Sequence, residues 1–294
     1  MNNPASLQTR HIHLVSDATG ETINAVTRAC LVQFENIPVQ EYFWNLVRTS
    51  RQLRLVTDAI QQMPGLVLYT FVDDELRQEL ESFCRQHDIP SLAILDPVMQ
   101  ALDTFLGRRH THQPGRQHVL NDEYFSRIAA MDYAMALDDG QSAAHLQEAD
   151  VIILGVSRSS KTPTCLYLAN RGIRAANVPI VPDCPLPPAL AERQGIFSTK
   201  LIVGLTKSPD TLVEIRLARI KLLHGDKNAD YVDPEKVRQE VQAARRLFTK
   251  LSCPVIDVTH RSIEETAAEI MMLISRRKLQ QSSQSPERPQ EQSS

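Results

Sequence analysis

Short apolar runs alternate with amphipathic stretches along most of the chain. The first half contains three such pairs: HIHLVSD with GETINAVTRACLVQF, GLVLYTFV with DELRQELESFCRQH, and SLAILD with PVMQALDTFL. Apolar runs of this length predict buried strands, and the amphipathic stretch after each one predicts a helix that covers the sheet. The pattern therefore predicts β-α-β units on a largely parallel sheet.

The second half repeats the alternation after a long connection. The segment GRRHTHQPGRQHVLNDEYF has no clear periodicity, and it precedes the helical stretch YFSRIAAMDYAMALDDG. Further apolar runs then predict four strands, in ADVIILGVS, VPIVPD, TKLIVGLT and CPVIDVT. We predict two α/β domains, over residues 10–145 and 146–278, with the seam within 106–145. Residues 1–9 form a flexible tail, and the Gln-, Ser- and Pro-rich residues 279–294 a disordered one.

Composition and charge fit a globular protein and disfavour several other classes. Hydrophobic residues make up 42% of the 294, and the formal net charge of −3 offers no basic field for nucleic acid. No apolar run approaches the roughly 20 residues that span a bilayer, and the first residues lack the apolar core of a signal peptide. The five cysteines are scattered, without a C-x-x-C pair. We expect a cytoplasmic protein with no zinc site, no membrane contact and no nucleic-acid partner.

One stretch, ADVIILGVSRSSKTPTCLYLANRG at residues 149–172, has the order of a phosphate-binding P-loop. A buried strand leads through a tight loop into a helix that ends at Gly172, so loop N–H groups and the helix dipole converge on an anion. Lys161 and Arg158 supply positive charge to the phosphates, and the Thr162 hydroxyl is placed to bind Mg²⁺. The predicted nucleotide-binding residues are Gly155, Val156, Ser157, Arg158, Ser159, Ser160, Lys161 and Thr162.

Ser160 departs from the motif, because it stands where G-x-x-x-x-G-K-[ST] has its second glycine. The replacement has an energetic cost only if that position needs a positive φ or a close backbone approach. The alternative interpretation is an ordinary strand-turn-helix with a surface lysine. The strand before the loop and the helix after it favour the phosphate site.

Three residues of the same half are further candidates. Asp183, after the run VPIVPD, is a magnesium partner or a base for a hydroxyl group, and a helix or turn cap is the alternative. Arg216 and Arg219 lie at i and i+3 on one face of a predicted helix. Two arginines so placed resemble the lid of small phosphotransferases, which covers the phosphoryl group in transfer, and a solvated basic face is the alternative. This half resembles a P-loop kinase core.

A second strand-loop-helix lies near the N-terminus, in HIHLVSDATGETINAV. Loops of this composition at a helix N-terminus hold anions, although helix caps alone explain Ser16 and Thr22. Asp17 in this loop is a candidate to orient a hydroxyl nucleophile or a phosphate ion.

Five stretches taken together resemble the pyruvate, phosphate dikinase regulatory proteins, which share a family with the phosphoenolpyruvate synthase regulatory proteins. These stretches are HLVSDATGETINAV, YFSRIAAMDYAMALDDG, GVSRSSKTPTCLYLANRGIRAANVPIVPD, VGLTKSPDTLVEIRLARI and DVTHRSIEETAAEI. The resemblance covers residues 10–278, and its P-loop falls on Gly155 to Thr162.

The resemblance implies a bifunctional serine/threonine kinase and phosphorylase that acts on another protein. As a kinase it would move the β-phosphoryl group of ADP onto an active-site threonine of the dikinase and inactivate it. As a phosphorylase it would remove that group with inorganic phosphate, forming pyrophosphate. The resemblance also suits Mg²⁺ as a cofactor and a homodimer. The segment SRSSKTP favours the dikinase over the synthase as target.

Several points stay open from the sequence. A loop bent differently at Ser160 is one hypothesis for a preference for ADP. Asp183 and then Asp17 are the candidates for the base that takes the threonine proton, and the emptied P-loop or the loop around Asp17 would hold the phosphate. A P-loop kinase for a small metabolite, or a nucleotide-sensing module without chemistry, are the alternative functions.

Overall fold

The structure is a computed structural model that describes residues 9–109, 122–136, 143–181, 184–223 and 229–283. The chain divides into two compact units, Met1–Val119 and Leu120–Ser294. Each unit is an α/β fold with one four-stranded sheet in which every strand pair is parallel. The predicted fold class is therefore confirmed, whereas the predicted limits 10–145 and 146–278 stay a prediction. The prediction of a disordered tail from residue 279 is wrong for residues 279–283, which belong to a helix that ends at Ser283, and residues 1–8 and 284–294 of the two predicted tails lie outside the described residues.

The first unit carries the strand order β2-β1-β3-β4. Its elements, in chain order, are β1 Arg10–Ser16, α1 Glu21–Leu31, β2 Val39–Trp44, α2 Ser50–Gln62, β3 Leu66–Thr70, α3 Asp74–Gln86, β4 Ser91–Ala93 and α4 Asp96–Leu106. Alternate residues of β1 enter two separate cores, as the two-residue period of a strand requires. Val15 packs with side chains of α2 and α3, while Ile12 and Leu14 pack with Ile23 of α1. Helices therefore cover both faces of this sheet.

The second unit has the corresponding strand order, β6-β5-β7-β8. Its elements are α5 Asp122–Ala136, α6 Ala143–Glu148, β5 Val151–Gly155, α7 Lys161–Ala169, β6 Ala175–Pro179, α8 Pro188–Ala191, a 3₁₀ turn at Gly195–Ser198, β7 Leu201–Thr206, α9 Pro209–Leu223, α10 Ala229–Val232, α11 Pro234–Lys250, β8 Val255–Asp257 and α12 Ile263–Ser283. Every residue of β5 and β7 is buried, as expected for central strands covered on both faces. On one face β5 packs with α7 and α12, and on the other with α9 and α11.

Helix ends in the second unit follow the capping rules. Ser262 and Glu265 form the reciprocal pair of hydrogen bonds of a capping box at the start of α12. The Ser208 hydroxyl accepts from the Thr211 N–H at the start of α9. Gly172 lies just beyond α7 with φ of +74°, the left-handed conformation for which glycine is favoured. The helix end at Gly172 was predicted from the sequence.

Two parts of the fold differ from the expectation. The apolar run VPIVPD is predicted to form a strand, but β6 spans Ala175–Pro179 and includes only the first two residues of that run. The pairing stops there because Pro179 lies opposite Gly155, where β5 turns into the loop. Strand β2 and helix α2 were not predicted, since β2 is an edge strand with no buried residue and lacks a continuous apolar run. Within the described ranges no helix has the length and apolar character needed to cross a membrane.

The close packing of β7 against α11 gives a test of the second fold. A Cβ atom added at Gly204 would lie 2.7 Å from ring atoms of Phe248. Gly204→Ala should therefore lower the free energy of unfolding by about 1–3 kcal/mol, the range for an overpacked core. Urea unfolding measures the change.

Phe248→Leu supplies the second arm of this test. Because the smaller side chain makes room at the contact, Gly204→Ala should cost less in the Phe248→Leu background than in the wild type. An equal cost in both backgrounds would contradict the packing explanation.

Candidate phosphate-binding site

The candidate site lies where β5 ends, between β5 and β7. Strand β6 pairs with β5 on one side and β7 pairs with it on the other. The connections that leave β5 and β7 therefore start toward opposite sides of the sheet. In open parallel sheets, ligands bind in the crevice outside the carboxyl ends of the strands at such a switch point.

The loop from Gly155 to Ser160 passes very close to its own backbone and to β7. A Cβ atom at Gly155 would lie 2.5 Å from Ser159 Oγ and 2.8 Å from the carbonyl oxygen of Leu205. Such distances leave room for glycine alone, since a backbone carbonyl in a paired strand cannot move aside. Any side chain at position 155 would clash with these atoms, which explains the first glycine of the motif.

Two non-glycine residues of the loop adopt left-handed backbone conformations. Arg158 has φ of +71° and Ser160 has φ of +64°. A serine in this region carries a strain of roughly 1–2 kcal/mol relative to glycine. The backbone at residue 160 has the left-handed conformation that glycine adopts readily, and a loop bent differently at Ser160 to suit ADP stays a hypothesis. What Ser160 adds is a hydroxyl group.

Lys161 is the first residue of α7, and its side chain is buried. Its Nζ donates to the carbonyl oxygen of Val156 at 2.9 Å, and that oxygen also accepts from the backbone N and the Oγ of Ser159. Three donors thus converge on one neutral acceptor inside the loop. An anionic phosphate oxygen accepts hydrogen bonds more strongly than an amide carbonyl does, so these donors are well placed to exchange partners when a phosphate binds.

The N-terminus of α7 adds to this donor set. Its N-cap residue, Ser160, makes no side-chain capping hydrogen bond to the helix. The first N–H groups of a helix lack intrahelical partners and carry partial positive charge. The helix therefore presents this charge at the same end as Lys161.

Thr162 is held from the neighbouring strand. Asn177 of β6 donates its side-chain amide to Thr162 Oγ1 at 3.0 Å, while its own Oδ1 is buried without a hydrogen-bond partner among the described residues. Mg²⁺ accepts such oxygen ligands and usually retains water and phosphate ligands. No group of three or more His, Cys, Asp or Glu able to hold a metal is found in the described ranges. The residues therefore fit a magnesium ion that is carried chiefly by a phosphate ligand.

Lys207 is a second lysine at the loop, and it was not among the predicted site residues. It directly follows β7, is 8% exposed, and its Nζ lies 3.4 Å from Ser160 Oγ. Burial lowers its pKa, and the negative charge of Asp257 opposes this effect. The available sequence signal was a lysine immediately after a predicted buried strand, the edge at which parallel sheets bind ligands.

Arg216 and Arg219 do not share an environment, although both lie on α9. Arg216 is fully buried, whereas Arg219 is exposed. Arg216 forms a two-pronged ion pair with Glu240 of α11, with its Nη2 2.6 Å from Glu240 Oε2. In this structure Arg216 is therefore part of the scaffold around the loop.

The Arg216 guanidinium group connects α10 to the loop. It donates to the carbonyl oxygens of Tyr231 and Ser157 at 3.0 and 3.3 Å, and it lies over the Tyr231 ring. The Tyr231 hydroxyl is 3.1 Å from Ser157 Oγ and accepts from Arg158 Nε at 3.3 Å. Burial raises the pKa of Tyr231, but these hydrogen bonds and the charges of Arg158 and Arg216 outweigh it, so the pKa is lowered.

Asp17 lies in the first unit, at the end of β1. Its side chain is 1% exposed, and its Oδ2 accepts from the backbone N–H groups of Val72 and Asp73. The carboxylate thus ties the end of β1 to the segment after β3. Burial raises its pKa, with the backbone hydrogen bonds acting in the opposite direction. Asp183 lies outside the described residues.

Comparisons with known proteins agree on one family. A family model described as Kinase/pyrophosphorylase matches residues 12–271. A protein of Paramagnetospirillum magneticum is 52% identical over 90% of this chain and 84% of its own length, and one of Rhodospirillum rubrum is 50% identical over 90% and 95%. One of Caulobacter vibrioides is 52% identical over 90% and 83%. All three are named as pyruvate, phosphate dikinase regulatory proteins.

A solved structure, shikimate dehydrogenase 1 from Peptoclostridium difficile, aligns with 90% of this chain and 99% of its own, at 13% identity. Its TM-score of 0.19 is too low to relate the two folds.

The buried ion pair predicts unequal costs for two glutamates of α11. Glu240→Ala would leave the buried Arg216 charge without its partner, and it should lower the free energy of unfolding by about 3–5 kcal/mol. Glu235→Ala removes a solvent-exposed pair with Arg238 and should cost about 1 kcal/mol or less. Urea unfolding of both variants makes the comparison, and similar small costs would contradict a structural role for the buried pair.

The close approach at Gly155 predicts a binding defect. Gly155→Ala should displace Ser159 or the loop and weaken ADP binding by about tenfold or more, equivalent to roughly 1.4 kcal/mol. Titration calorimetry with ADP measures the change. Gly195→Ala is the control for backbone strain away from the loop: Gly195 has φ of +54°, but an added Cβ there meets nothing within 4 Å, so ADP affinity should not change. Unchanged affinity in Gly155→Ala would show that ADP does not use this loop.

Proposed function

Because this chain belongs to the kinase/pyrophosphorylase family, we propose that it is a bifunctional regulator of pyruvate, phosphate dikinase. In this proposal it is an ADP-dependent serine/threonine kinase and a phosphate-dependent, pyrophosphate-forming phosphorylase. Relatives that are about half identical over nine-tenths of the chain carry the regulator's name, which supports the target. A cytoplasmic location and a homodimer stay predictions.

The observation that carries the proposal is the concentration of positive charge at the end of β5. Lys161 is buried beside the loop at the start of α7, and Arg158 lies on the loop. Phosphoryl transfer needs little covalent chemistry from the protein and depends mostly on positioning and on charge stabilisation. A site of this composition supplies both.

In the kinase direction, the threonine oxygen of the target attacks the β-phosphorus of ADP. The bond from that phosphorus to the bridging oxygen breaks, AMP leaves with the electron pair, and the threonine proton passes to a base. Lys161, with the N–H groups at the start of α7, stabilises the charge on the phosphate oxygens. Asp183 and Asp17 remain the proposed candidates for the base, and Arg219 remains a proposed contact to the nucleotide.

In the phosphorylase direction, an oxygen of inorganic phosphate attacks the phosphorus of phosphothreonine. The threonine oxygen leaves with the electron pair and takes the proton of the attacking hydrogen phosphate, so that threonine and pyrophosphate result. No nucleotide takes part in this reaction. The donors around the Val156 carbonyl are then available to the phosphate oxygens.

Mg²⁺ is a proposed cofactor, and when bound it would neutralise charge on the phosphate oxygens. Thr162 would hold the ion through its hydroxyl group, and Asn177 would keep that hydroxyl oriented.

Label transfer from nucleotide to protein tests the proposal. The purified protein is incubated with pyruvate, phosphate dikinase that carries its histidine phosphoryl group, and with β-labelled ADP or γ-labelled ATP. We expect label on threonine from ADP alone, and its release as pyrophosphate after inorganic phosphate is added. Lys161→Ala should reduce the rate at least about 100-fold, because a charge on the phosphates is lost.

Lys250→Ala is the matched control, since Lys250 is an exposed lysine at the end of α11. Phosphoenolpyruvate synthase is assayed in parallel. Label on the synthase alone would reassign the target, and a phosphorylated small metabolite would identify a metabolite kinase. Tight ADP binding with no transfer to either enzyme would indicate a nucleotide sensor.

A further inference from the structure

Lys207 is a buried cation that the fold itself does not explain. Among the described residues its Nζ has one hydrogen bond, the long contact of 3.4 Å to the neutral hydroxyl of Ser160. No carboxylate of the described residues lies within ion-pair distance of it. Charged side chains are almost never this buried unless they are paired.

The nearest candidate partner has other contacts. Asp257, at the end of β8, accepts hydrogen bonds from the backbone N and the hydroxyl of Thr259, and its other oxygen is 3.9 Å from Arg245. Its negative charge raises the pKa of Lys207 but does not cancel the lowering caused by burial. The ammonium group is therefore desolvated without full compensation, which destabilises the folded protein.

A desolvated cation beside a phosphate-binding loop is suited to an anionic ligand. Lys161 and Lys207 approach the loop from different strands, the first through the β5–α7 junction and the second from the end of β7. The Lys161 amine contacts Val156 at one end of the loop, and the Lys207 amine contacts Ser160 at the other. The loop therefore has a buried lysine at each end, and the first N–H groups of α7 add positive charge at the Ser160 end.

We propose that Lys207 binds the attacking inorganic phosphate in the phosphorylase direction, together with Lys161. This inference rests on the proposed function, in which the donors of the Gly155–Ser160 loop hold the phosphate of that reaction, and it adds Lys207 to them. It assigns the Ser160 hydroxyl a role as well, since that group holds the Lys207 amine at the loop.

The phosphorylase reaction brings a more negatively charged attacking group into the site than the kinase reaction does. ADP is attacked by a neutral hydroxyl group, whereas phosphothreonine is attacked by a second phosphate, and each of those groups carries about 1.5–2 negative charges at neutral pH. Like charges at contact distance repel strongly in a site that excludes water. Removal of one cation should therefore impair the phosphorylase more than the kinase.

The first unit is less suited to hold that phosphate. At the end of β1 the carboxylate of Asp17 already accepts the N–H groups of Val72 and Asp73, and its charge would repel an anion. Arg48 is near, but its Nε donates to the carbonyl oxygen of Asp17. The loop in the second unit has two lysines and no described carboxylate at ion-pair distance from Lys207.

Kinetics of Lys207→Met separate the two directions. We expect the KM for inorganic phosphate to rise roughly 10- to 100-fold, the effect of losing a charge-assisted hydrogen bond, while the KM for ADP changes less than about threefold. Lys207→Arg should recover part of the loss because it restores the charge. Lys250→Met is the control in which neither KM changes. Equal effects on phosphate and ADP, or an unchanged KM for phosphate, would overturn the proposal.

Thermal unfolding gives a readout that does not need activity. Inorganic phosphate should raise the unfolding midpoint of the wild-type protein, and Lys207→Met should abolish that rise. Without phosphate, Lys207→Met should unfold at the same or a higher temperature, because methionine removes a desolvated charge. A lower midpoint without phosphate, or a preserved rise with it, would show that Lys207 is structural.

The two experiments also separate this inference from the proposed function. If the wild type transfers no phosphoryl group to or from either target, the proposed function is wrong and the assignment of phosphate to the phosphorylase direction is wrong with it. If transfer occurs in both directions but the phosphate effects do not depend on Lys207, the inference alone is wrong.

Discussion

The parallel pairing of β5 with β7 is the constraint on which the site depends. It aligns Gly155 with Leu205, so the loop that leaves β5 and the segment that leaves β7 start side by side. Lys161 and Lys207 are therefore brought to one loop although 46 residues separate them along the chain, from 161 to 207. The same pairing sets the steric limit at Gly155, because the nearest backbone atom across the crevice is the carbonyl oxygen of Leu205.

A buried cluster of polar side chains also fixes the loop from Gly155 to Ser160. The buried Arg216 gathers Ser157, Tyr231 and Glu240, which come from the loop, α10 and α11. A buried ion pair contributes little net stability by comparison with a well-packed apolar pair, but loss of one partner is costly. Such a pair is therefore better understood as fixing one arrangement of the loop and α10. The two units share their strand order, yet in the first unit the corresponding crevice is bridged by the carboxylate of Asp17.

Local patterns in the sequence predicted the parts of the molecule that depend on local interactions. The α/β class and the helix end at Gly172 follow from residues close in the chain. The strand Val151–Gly155, the turn after it and the helix Lys161–Ala169 are of this kind too. Helix α2 was missed although Leu53, Val56 and Ile60 are spaced for one buried face, so a usable signal was present.

Strand order and the burial of long charged side chains depend on tertiary contacts, and the sequence could not supply them. Lys207 becomes a site residue only once β7 is known to pair with β5. Arg216 and Arg219 are equivalent by helical spacing, but α11 brings Glu240 to one of them and leaves the other in solvent. The period of a helix indicates that two residues share a face, and it does not indicate what covers that face.

Three destabilising features of the second unit lie at the loop from Gly155 to Ser160, although Arg193 and Ser252 also have a positive φ elsewhere in that unit. Arg158 and Ser160 hold left-handed conformations, and the charge of Lys207 is desolvated without a carboxylate partner among the described residues. Strain of this kind persists only where the surrounding structure enforces it, and it concentrates at sites that bind or transform ligands. By contrast, the charge of the buried Arg216 is paired with the carboxylate of Glu240. Glycine at 160 and an apolar residue at 207 would remove the backbone strain and the desolvated charge, and an anionic ligand would explain why both positions carry polar groups instead.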